Sequence, residues 1–206
     1  MNQVIVKGKP VTPSKIVCIG RNYVEHIAEL GNEVPDEMVV FLKPNSAISN
    51  TLYSFIKEAL HYETEIAFII NDGKFSAVGV GLDLTKRTLQ GKLKAKGLPW
   101  ERAKAFNGAA LFSEFVELPD DFSSLQVQLK INGQVTQLGG VDLMMYKPAD
   151  ILRELKSFLD LNDGDIIMTG TPKGVGEIKA GAAFDTAILA DGVALVQKQW
   201  QAVVVT

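Results

Sequence analysis

The chain has 206 residues, of which 47% are hydrophobic and 22% charged, and its formal net charge is −3. This composition is that of a folded protein with a substantial core, and it excludes an intrinsically disordered chain. The apolar runs are far shorter than the roughly 18 residues of a membrane span, and we expect no secretory signal. The mild acidity, without a dense Lys/Arg face, argues against nucleic acid as a partner.

The single cysteine indicates the redox setting of the chain. Cys18 has no second thiol to pair with, so an internal disulfide is excluded and a cytoplasmic location is expected. It lies in the apolar run Lys15–Gly20, which predicts a buried structural thiol.

Short apolar segments separated by turn residues dominate the sequence and predict a β-rich α+β fold, in one domain over residues 1–206. Tight hairpin turns are expected where Asn or Asp precedes Gly, at Asp72-Gly73, Asn132-Gly133 and Asp191-Gly192. The predicted strands are Gln3–Val6, Lys15–Ile19, Met38–Leu42, Glu63–Ile70, Phe75–Leu84, Leu125–Ile131, Gln134–Leu138, Asp165–Thr169, Phe184–Leu189 and Ala194–Val205.

A few helices are predicted between these strands. Asn22–Leu30 is followed by Gly31 in the position typical of a helix C-cap. Thr85–Lys96 carries a cationic run over residues 86–96 that predicts a solvated face. Pro148–Leu159 places its apolar residues on one face and begins with proline, as a first helical turn permits.

Two carboxylates two residues apart form the most informative pattern. Glu63 and Glu65 begin a predicted strand and therefore point to the same face. The next strand returns after the Asp72-Gly73 turn and brings Asp83 near the same end of the sheet. Three oxygen ligands there would suit Mg²⁺ or Mn²⁺, whereas a solvated strand end is the alternative reading of the spacing.

Six motifs in order make the chain resemble small, single-domain members of the fumarylacetoacetate hydrolase family from about residue 14 onward. The motifs are Gly20-Arg-Asn-Tyr-Val-Glu-His26, Val40-Phe-Leu-Lys-Pro44, His61-Tyr-Glu-Thr-Glu65, Leu82-Asp-Leu-Thr85, Gly97-Leu-Pro-Trp100 with Ala103-Lys-Ala-Phe106, and Gly164-Asp-Ile-Ile-Met-Thr-Gly-Thr-Pro-Lys-Gly-Val-Gly176. The resemblance implies a rolled mixed β-sheet with a few short helices. It also implies a divalent metal, Mg²⁺ or else Mn²⁺ or Ca²⁺, held by Glu63, Glu65 and Asp83.

The resemblance implies catalytic roles for four further residues. His26 and Glu29, three apart on a short helix that orders over the site when substrate binds, are the expected water-activating pair. Lys104 is expected to neutralise negative charge beside the metal, and Gln90 to donate to an oxyanion. Taken without the resemblance, His26 and Gln90 are also compatible with ordinary solvent-exposed positions.

Substrate contacts are expected from Arg21, Arg87 and Thr171, although Arg87 alone is equally compatible with pairing to surface acids. His61 is expected to orient a ligand carboxylate. The loop Thr169–Gly176 has neither the phosphate-loop spacing nor the glycine interval of a dinucleotide fold, so nucleotide binding is not expected.

The leading functional hypothesis is hydrolysis of 2,4-dioxo acids, the acylpyruvates such as acetylpyruvate or fumarylpyruvate, to pyruvate and a carboxylic acid. Oxaloacetate decarboxylation or tautomerisation needs no further residue and is the alternative, and a 2-hydroxyhepta-2,4-diene-1,7-dioate isomerase is the third. A non-catalytic module that binds metal or carboxylate is the alternative of another class. A small dicarboxylic or dioxo acid is the expected partner, and the chain is expected to form a homodimer.

Overall fold

The computed structural model describes residues 1–29, 31 and 36–204, and within them the chain is mostly β-sheet with four short α-helices. The strands are β1 (Val4–Val6), β2 (Lys9–Val11), β3 (Lys15–Gly20), β4 (Val39–Pro44), β5 (Tyr53–Phe55), β6 (His61–Tyr62), β7 (Thr64–Asn71), β8 (Lys74–Asp83), β9 (Ala110–Phe112), β10 (Val116–Glu117), β11 (Gln126–Ile131), β12 (Gln134–Gly140), β13 (Ile166–Met168), β14 (Gly176–Glu177), β15 (Ala183–Ala190), β16 (Val193–Gln201) and β17 (Val203–Val204). The helices are α1 (Val24–Glu29), α2 (Arg87–Ala95), α3 (Glu101–Lys104) and α4 (Pro148–Lys156), with 3₁₀ turns at Asn45–Ala47 and Val141–Leu143.

The larger sheet has seven strands and is mixed. Its order is β10, β8, β7, β13, β3, β4, and β9 pairs with the end of β8. Strands β13 and β3 are parallel, and the other neighbours are antiparallel. The sheet curls into a half-barrel, which confirms the rolled mixed sheet expected from the sequence.

The central strands are apolar on both faces because both faces are covered. Alternate residues of β7 separate accordingly: Phe68 packs into one cluster with the four-stranded sheet β12-β11-β15-β16, and Ile69 into another with Cys18. Helix α4 covers a third cluster through Ile151 and Leu155. Cys18 is fully buried, and burial raises the pKa of its thiol well above the ordinary value, as expected for a structural residue.

Backbone dihedrals confirm the three predicted hairpin turns. Asp72, Asn132 and Asp191 all have φ between 48° and 49°, and the glycine after each is also in the left-handed region. Two successive positive φ angles are the signature of the tight turn that Asn-Gly and Asp-Gly favour. The turn therefore sets the register next to the hairpin, with Asn71 opposite Lys74, and a register shift between Ile69 and Ile70 moves the rest of the β7–β8 pair by one residue.

The last predicted strand, Ala194–Val205, is wrong as one element. Strand β16 ends at Gln201, and the backbone N–H of Ala202 donates to the carbonyl of Ala182 while that of Val203 donates to Leu52. The chain thus exchanges one pairing partner for another, and β17 continues beside β5. Residue 205 lies outside the described residues.

The predicted helices are present with shorter bounds, and Leu30 of the first lies outside the described residues. Gly31 and Gly97 both have φ near +60°, as expected after a helix end. Helix α3 was not predicted. Among the described helices, none is long and apolar enough to cross a lipid bilayer.

The sheet positions one cluster of polar residues. The carboxyl ends of the parallel strands β3 and β13 meet the start of β7 and the end of β8, because Met168 is paired with both Cys18 and Ala67. The segments leaving β3 and β13 therefore lie beside the carboxylates of β7 and β8.

Candidate metal centre and substrate pocket

Three buried carboxylates converge at the end of the β7–β8 pair. Glu63 precedes β7, Glu65 is its second residue, and Asp83 ends β8. The N–H of Asp83 donates to the carbonyl of Glu63 at 2.8 Å, so the two residues lie opposite each other. One oxygen from each of the three side chains lies within 4.8 Å of the others. The structure thus brings together the three residues expected to be metal ligands.

Lys104 provides positive charge on one side of this cluster. Its Nζ lies 2.8 Å from Oε2 of Glu63, 2.7 Å from Oδ2 of Asp83 and 2.6 Å from Oγ1 of Thr85. Burial alone would lower the pKa of Lys104, but the carboxylates of Asp83 and Glu63 outweigh it and raise the pKa. Burial likewise opposes ionisation of Glu63, yet Lys104 and Arg87 hold its pKa well below the ordinary value. Lys104 and Glu63 are therefore both charged at neutral pH.

Lys43 is a second buried cation at the same carboxylates, and the sequence analysis gave it no role. It is fully buried on β4, its Nζ lies 2.8 Å from Oδ1 of Asp83, and it donates to the main-chain carbonyl of Lys104. Its sequence signal is a lysine enclosed by the apolar residues 39–42 and Pro44. Lysine is almost never buried without a partner, so this pattern could have indicated a nearby acid, although not which one.

Two oxygens of the cluster have unused acceptor capacity. Oδ1 of Asp83 is buried and, among the described residues, has no hydrogen bond of regular geometry, since its contact with Lys43 is electrostatic. No described lysine or arginine pairs with Glu65, which accepts the N–H of Gly170 at 2.8 Å. Burial and the charges of Asp83 and Glu63 raise the pKa of Glu65 well above its ordinary value. Such buried oxygen donors, one of them short of positive charge, fit a divalent cation.

The loop after β13 approaches the cluster closely because one residue has no side chain. Gly170 has φ +97°, and a Cβ there would lie 2.9 Å from Cβ of Asn22 and 3.1 Å from the carbonyl oxygen of Ile19. The amide of Asn22 donates to the carbonyl of Thr169 at 2.8 Å, which ties the loop to the segment after β3. Asn22 lies in the motif Gly20–His26, but this positioning role was not predicted.

Thr171 lines the pocket from the same loop, and two hydrogen bonds fix the orientation of its hydroxyl group. It donates to the carbonyl of Thr64 at 2.9 Å and accepts from Nε2 of Gln137 at 2.9 Å. Gln137, which the sequence analysis also missed, is 1% exposed and donates as well to the carbonyl of Pro172. The loop is thus a rigid wall of the pocket.

His26 and Glu29 form a pair on α1. Nδ1 of His26 lies 3.2 Å from Oε2 of Glu29, and the imidazole is buried against the pocket. The carboxylate of Glu29 also accepts the N–H of Gly174, at 3.0 and 3.2 Å to its two oxygens. Since a carboxylate only accepts here, the Nδ1 position carries a proton, and in the neutral imidazole Nε2 is the nitrogen with the free lone pair.

Helix α2 contributes a linked pair from its first turns. Nη1 of Arg87 donates to Oε1 of Gln90 at 2.8 Å, and Nη2 donates to Oε1 of Glu63. Gln90 is 4% exposed, so the solvent-exposed alternative for this residue is wrong. Because its oxygen is occupied by Arg87, the amide NH₂ group is the part that Gln90 presents as a donor.

Arg21 enters the pocket from the turn after β3. Its φ of +55° is in the left-handed region, which is energetically unfavourable for a non-glycine residue. Such strained backbone conformations are found mainly at functional sites. Arg21 and Arg87 line the same cavity, together with the carboxylates.

The predicted solvated face of residues 86–96 is only partly correct. Lys92 and Lys96 are exposed, but Lys86 is buried and lies 4.5 Å over the ring of Phe106. Lys94 lines the cavity with its Nζ 5.2 Å from the ring centroid of Trp100. Burial and the charges of Arg21 and Arg87 lower the pKa of Lys94 to about 8. The charge count of the run did not indicate that two of its lysines turn inward.

His61 does not orient a ligand carboxylate through its side chain in the described part of the chain. Its main chain exchanges two hydrogen bonds with Thr85, each of 2.9 Å. Burial lowers the pKa of the imidazole and the nearby guanidinium of Arg87 lowers it further, so it is neutral at neutral pH. The contribution of His61 to the site is therefore the β-bridge that fixes the backbone beside Glu63.

Known proteins resemble this chain over most of its length. The C-terminal domain model of fumarylacetoacetate (FAA) hydrolase matches residues 15–199. Oxaloacetate tautomerase YcgM of Escherichia coli (strain K12) is 36% identical over 186 residues, which cover 82% of this chain and 85% of that protein.

Two crystal structures share the fold. One, from Oleispira antarctica and provisionally described as a fumarylacetoacetate isomerase/hydrolase, is 33% identical with a TM-score of 0.91, covering 98% of this chain and 100% of that one. The other is fumarylpyruvate hydrolase from Pseudomonas aeruginosa in complex with Mn²⁺ and pyruvate. It is 26% identical with a TM-score of 0.88, covering 99% and 96% of the two chains. The chain belongs to the fumarylacetoacetate hydrolase family of enzymes.

Proposed function

We propose that this chain is a divalent-metal-dependent oxaloacetate tautomerase that acts through a single catalytic domain over residues 1–206. The observation that carries the proposal is the shared cavity, in which three buried carboxylates face the cations Arg21, Arg87 and Lys94. Such a cavity suits a substrate with a metal-chelating 2-oxo acid at one end and further negative charge at the other. The name of the Escherichia coli relative supports this activity, which the sequence analysis ranked second.

Glu63, Glu65 and Asp83 would hold the cation, which we propose to be Mg²⁺ or Mn²⁺. When bound, the cation would stabilise negative charge on the 1-carboxylate and 2-oxo oxygens of the substrate. The Mn²⁺ in the fumarylpyruvate hydrolase structure supports a divalent ion of this kind.

His26 is the proposed proton carrier. In the enol-to-keto direction, the unprotonated Nε2 accepts the proton of the 2-hydroxyl group and returns it to C3, as the C2–O bond becomes a carbonyl and the C2–C3 bond becomes single. Glu29 fixes the tautomer through Nδ1 and stabilises the imidazolium between these transfers, 3.2 Å away. Its contacts with Gly174 hold the pair against the pocket.

The remaining residues stabilise and orient charge. The Lys104 ammonium lies beside Glu63 and Asp83, where it also favours an enolate-like oxygen. The NH₂ group of Gln90 donates to a substrate oxygen, and Arg21 and Arg87 orient the carboxylates. Thr171, whose hydroxyl hydrogen is donated to Thr64, contributes its main-chain N–H. These roles require the geometry described above and no further residue.

Hydrolysis of acylpyruvates, such as acetylpyruvate and water to acetate and pyruvate, is the second candidate. The His26–Glu29 pair favours it, because the same unprotonated Nε2 is placed to deprotonate a water. The fumarylpyruvate hydrolase structure supports it as well. Family membership argues against a purely non-catalytic binding module.

Matched assays separate the candidates. The enol absorbance of fresh oxaloacetate and the release of pyruvate from acetylpyruvate are followed with Mn²⁺ and with a chelator. We expect Mn²⁺-dependent loss of enol absorbance that Lys104→Met abolishes and that Lys156→Met, at an exposed position on α4, leaves intact. Activity with acetylpyruvate but none with oxaloacetate would replace the tautomerase proposal by the hydrolase.

Assembly and location complete the proposal. A homodimer is supported by the edges of both sheets: β16 exposes Val193 and Leu195, and β4 exposes Leu42 beside Leu98 and Phe158. A cytoplasmic location is supported by the single, fully buried thiol of Cys18.

A further inference from the structure

Helix α2 presents three residues of one face to the cavity. Arg87, Gln90 and Lys94 are spaced by three and four positions, the spacing that aligns side chains on a helix, and all three line the pocket. Arg87 contacts Glu63 and so lies at the carboxylate end. Lys94 has no place in the proton transfer described above.

Helix geometry places Lys94 away from the carboxylate end. Seven residues of α-helix rise about 10 Å, so the Cα atoms of Arg87 and Lys94 mark two ends of the cavity wall. Side chains on a helix lean toward its N-terminus, which brings the Lys94 ammonium part of the way back over the pocket. Its Nζ lies 5.2 Å from the ring centroid of Trp100, which forms the wall on that side.

The electrostatics of this end favour an anion. Arg21, Arg87 and Lys94 line one cavity, and burial, together with the two guanidinium groups, makes protonation of Lys94 less favourable than in water. A ligand carboxylate placed among these groups would be stabilised by their positive charge. Negative charge on the ligand is therefore favoured at a point beyond the chelating group.

We propose that Lys94 is a specificity-determining residue that binds the distal carboxylate of a dicarboxylic 2-oxo acid whose other end is chelated at Glu63, Glu65 and Asp83. The inference rests on the proposed function for the chelated end. It adds the substrate class: oxaloacetate and other 2-oxo acids with a distal carboxylate are favoured over acylpyruvates with a neutral acyl end. Acetylpyruvate has the same chelating end as oxaloacetate but no distal charge, so the two ligands isolate the contribution of Lys94.

The test compares the Mn²⁺-loaded wild-type protein with the single variants Lys94→Gln and Lys94→Arg. Lys92→Gln is the matched control, because Lys92 is exposed on the same helix. Steady-state kinetics are measured with oxaloacetate and acetylpyruvate. Calorimetric titration with oxalate, a chelating anion without a distal group, reports on the chelating end alone.

For Lys94→Gln we expect a KM for oxaloacetate about 10- to 100-fold higher, as for loss of a charge-assisted hydrogen bond, with kcat much less affected. Lys94→Arg should recover most of this loss. Oxalate affinity and the KM for acetylpyruvate should change by less than about twofold, and Lys92→Gln should behave as wild type.

Two results would overturn the inference: an unchanged KM for oxaloacetate in Lys94→Gln, or an equal loss for oxaloacetate, acetylpyruvate and oxalate. The second would show that Lys94 supports the fold of the pocket and does not read the distal group.

Failure of the proposed function can be distinguished from failure of the inference about Lys94. If wild type converts neither substrate, oxaloacetate itself becomes the calorimetric ligand. Binding that depends on Lys94 without turnover then retains the inference and rejects the tautomerase, whereas binding of neither oxaloacetate nor oxalate rejects both.

Discussion

The Nζ atom of Lys43 lies 2.8 Å from Oδ1 of Asp83, and both side chains are inaccessible to solvent. Lys104 contacts the other oxygen, Oδ2, so Asp83 is held between two buried cations. Since Lys43 lies on β4 and Lys104 at the end of α3, this carboxylate joins the sheet edge to the helix beside the pocket.

Replacement of Lys43 tests this arrangement. Lys43→Met removes one partner of a buried ion pair, and we expect a loss of about 3–5 kcal/mol in the free energy of unfolding, measured by urea denaturation. Where the variant folds, Mn²⁺ affinity should fall by about 10- to 100-fold because Asp83 loses its orientation. Lys156→Met is the control, and equal Mn²⁺ affinity in both variants would show that Lys43 has no positioning role.

Removal of Glu65 tests the metal centre directly. Glu65→Gln keeps the size of the side chain and its acceptor for Gly170 but removes the charge that a cation would neutralise. We expect Mn²⁺ affinity, measured by calorimetry, to fall by at least about 100-fold. This loss is larger than that expected for Lys43→Met, because Lys43 contacts a proposed metal ligand but is not one itself. Glu154→Gln, exposed on α4, serves as control. Wild-type Mn²⁺ affinity in Glu65→Gln would rule out this metal site.

The convergence of Glu63, Glu65 and Asp83 was predictable because it depends on local features. The Asp72-Gly73 turn pairs the start of β8 with the end of β7, and strand periodicity then brings Asp83 close to Glu63. The register shift between Ile69 and Ile70 that places the two residues opposite each other was not predicted. A metal role could be inferred from that geometry, whereas the specific ion could not.

The supporting residues were not predictable because their partners are distant in sequence. The amide of Asn22 holds Thr169, 147 residues away, and Gln137 holds Thr64 and Thr171 from a different sheet. Burial of such polar side chains is decided by how the sheet curls, which no short pattern encodes. The same is true of Lys94, whose inward position depends on where Trp100 packs.

The His26–Glu29 pair should behave as one unit. We expect His26→Ala and Glu29→Ala each to lower kcat by about 10²- to 10⁴-fold, with the double variant little worse than the worse single one. Mn²⁺ affinity should barely change. Glu25→Ala, exposed on the same helix, is the control, and Glu29→Gln, which keeps an acceptor for Gly174, separates the charge from the anchoring contact. Additive losses in the double variant would contradict coupled action.

The proposed homodimer is tested by sedimentation. Covering the exposed edge of β4 with a second chain would bury Leu42 and Phe158, and we expect a mass twice that of the 22.4 kDa chain at micromolar concentrations. A mass of one chain over that range would exclude the dimer.

The ionisation of Lys94 gives a pH dependence with a definite sign. Burial, Arg21 and Arg87 lower the pKa of this group to about 8, so it is cationic below that pH and loses its charge above it. Four charged groups that act on it within the described residues keep their charges between pH 7 and 9: the guanidinium groups of Arg21 and Arg87 do not titrate in proteins, the pKa of Lys104 is raised, and that of Glu63 is lowered.

We therefore expect kcat/KM for oxaloacetate, which reports on the free enzyme, to fall as the pH rises through about 8. For acetylpyruvate, which has no distal carboxylate, kcat/KM should not change over the same pH range. Any change seen with acetylpyruvate would report on the chelating end of the pocket. Lys94→Arg stays cationic and should remove the fall, whereas Lys94→Gln should be low at every pH. An unchanged fall in Lys94→Gln would assign the titration to another group, since no ionisation remains at position 94 to produce it.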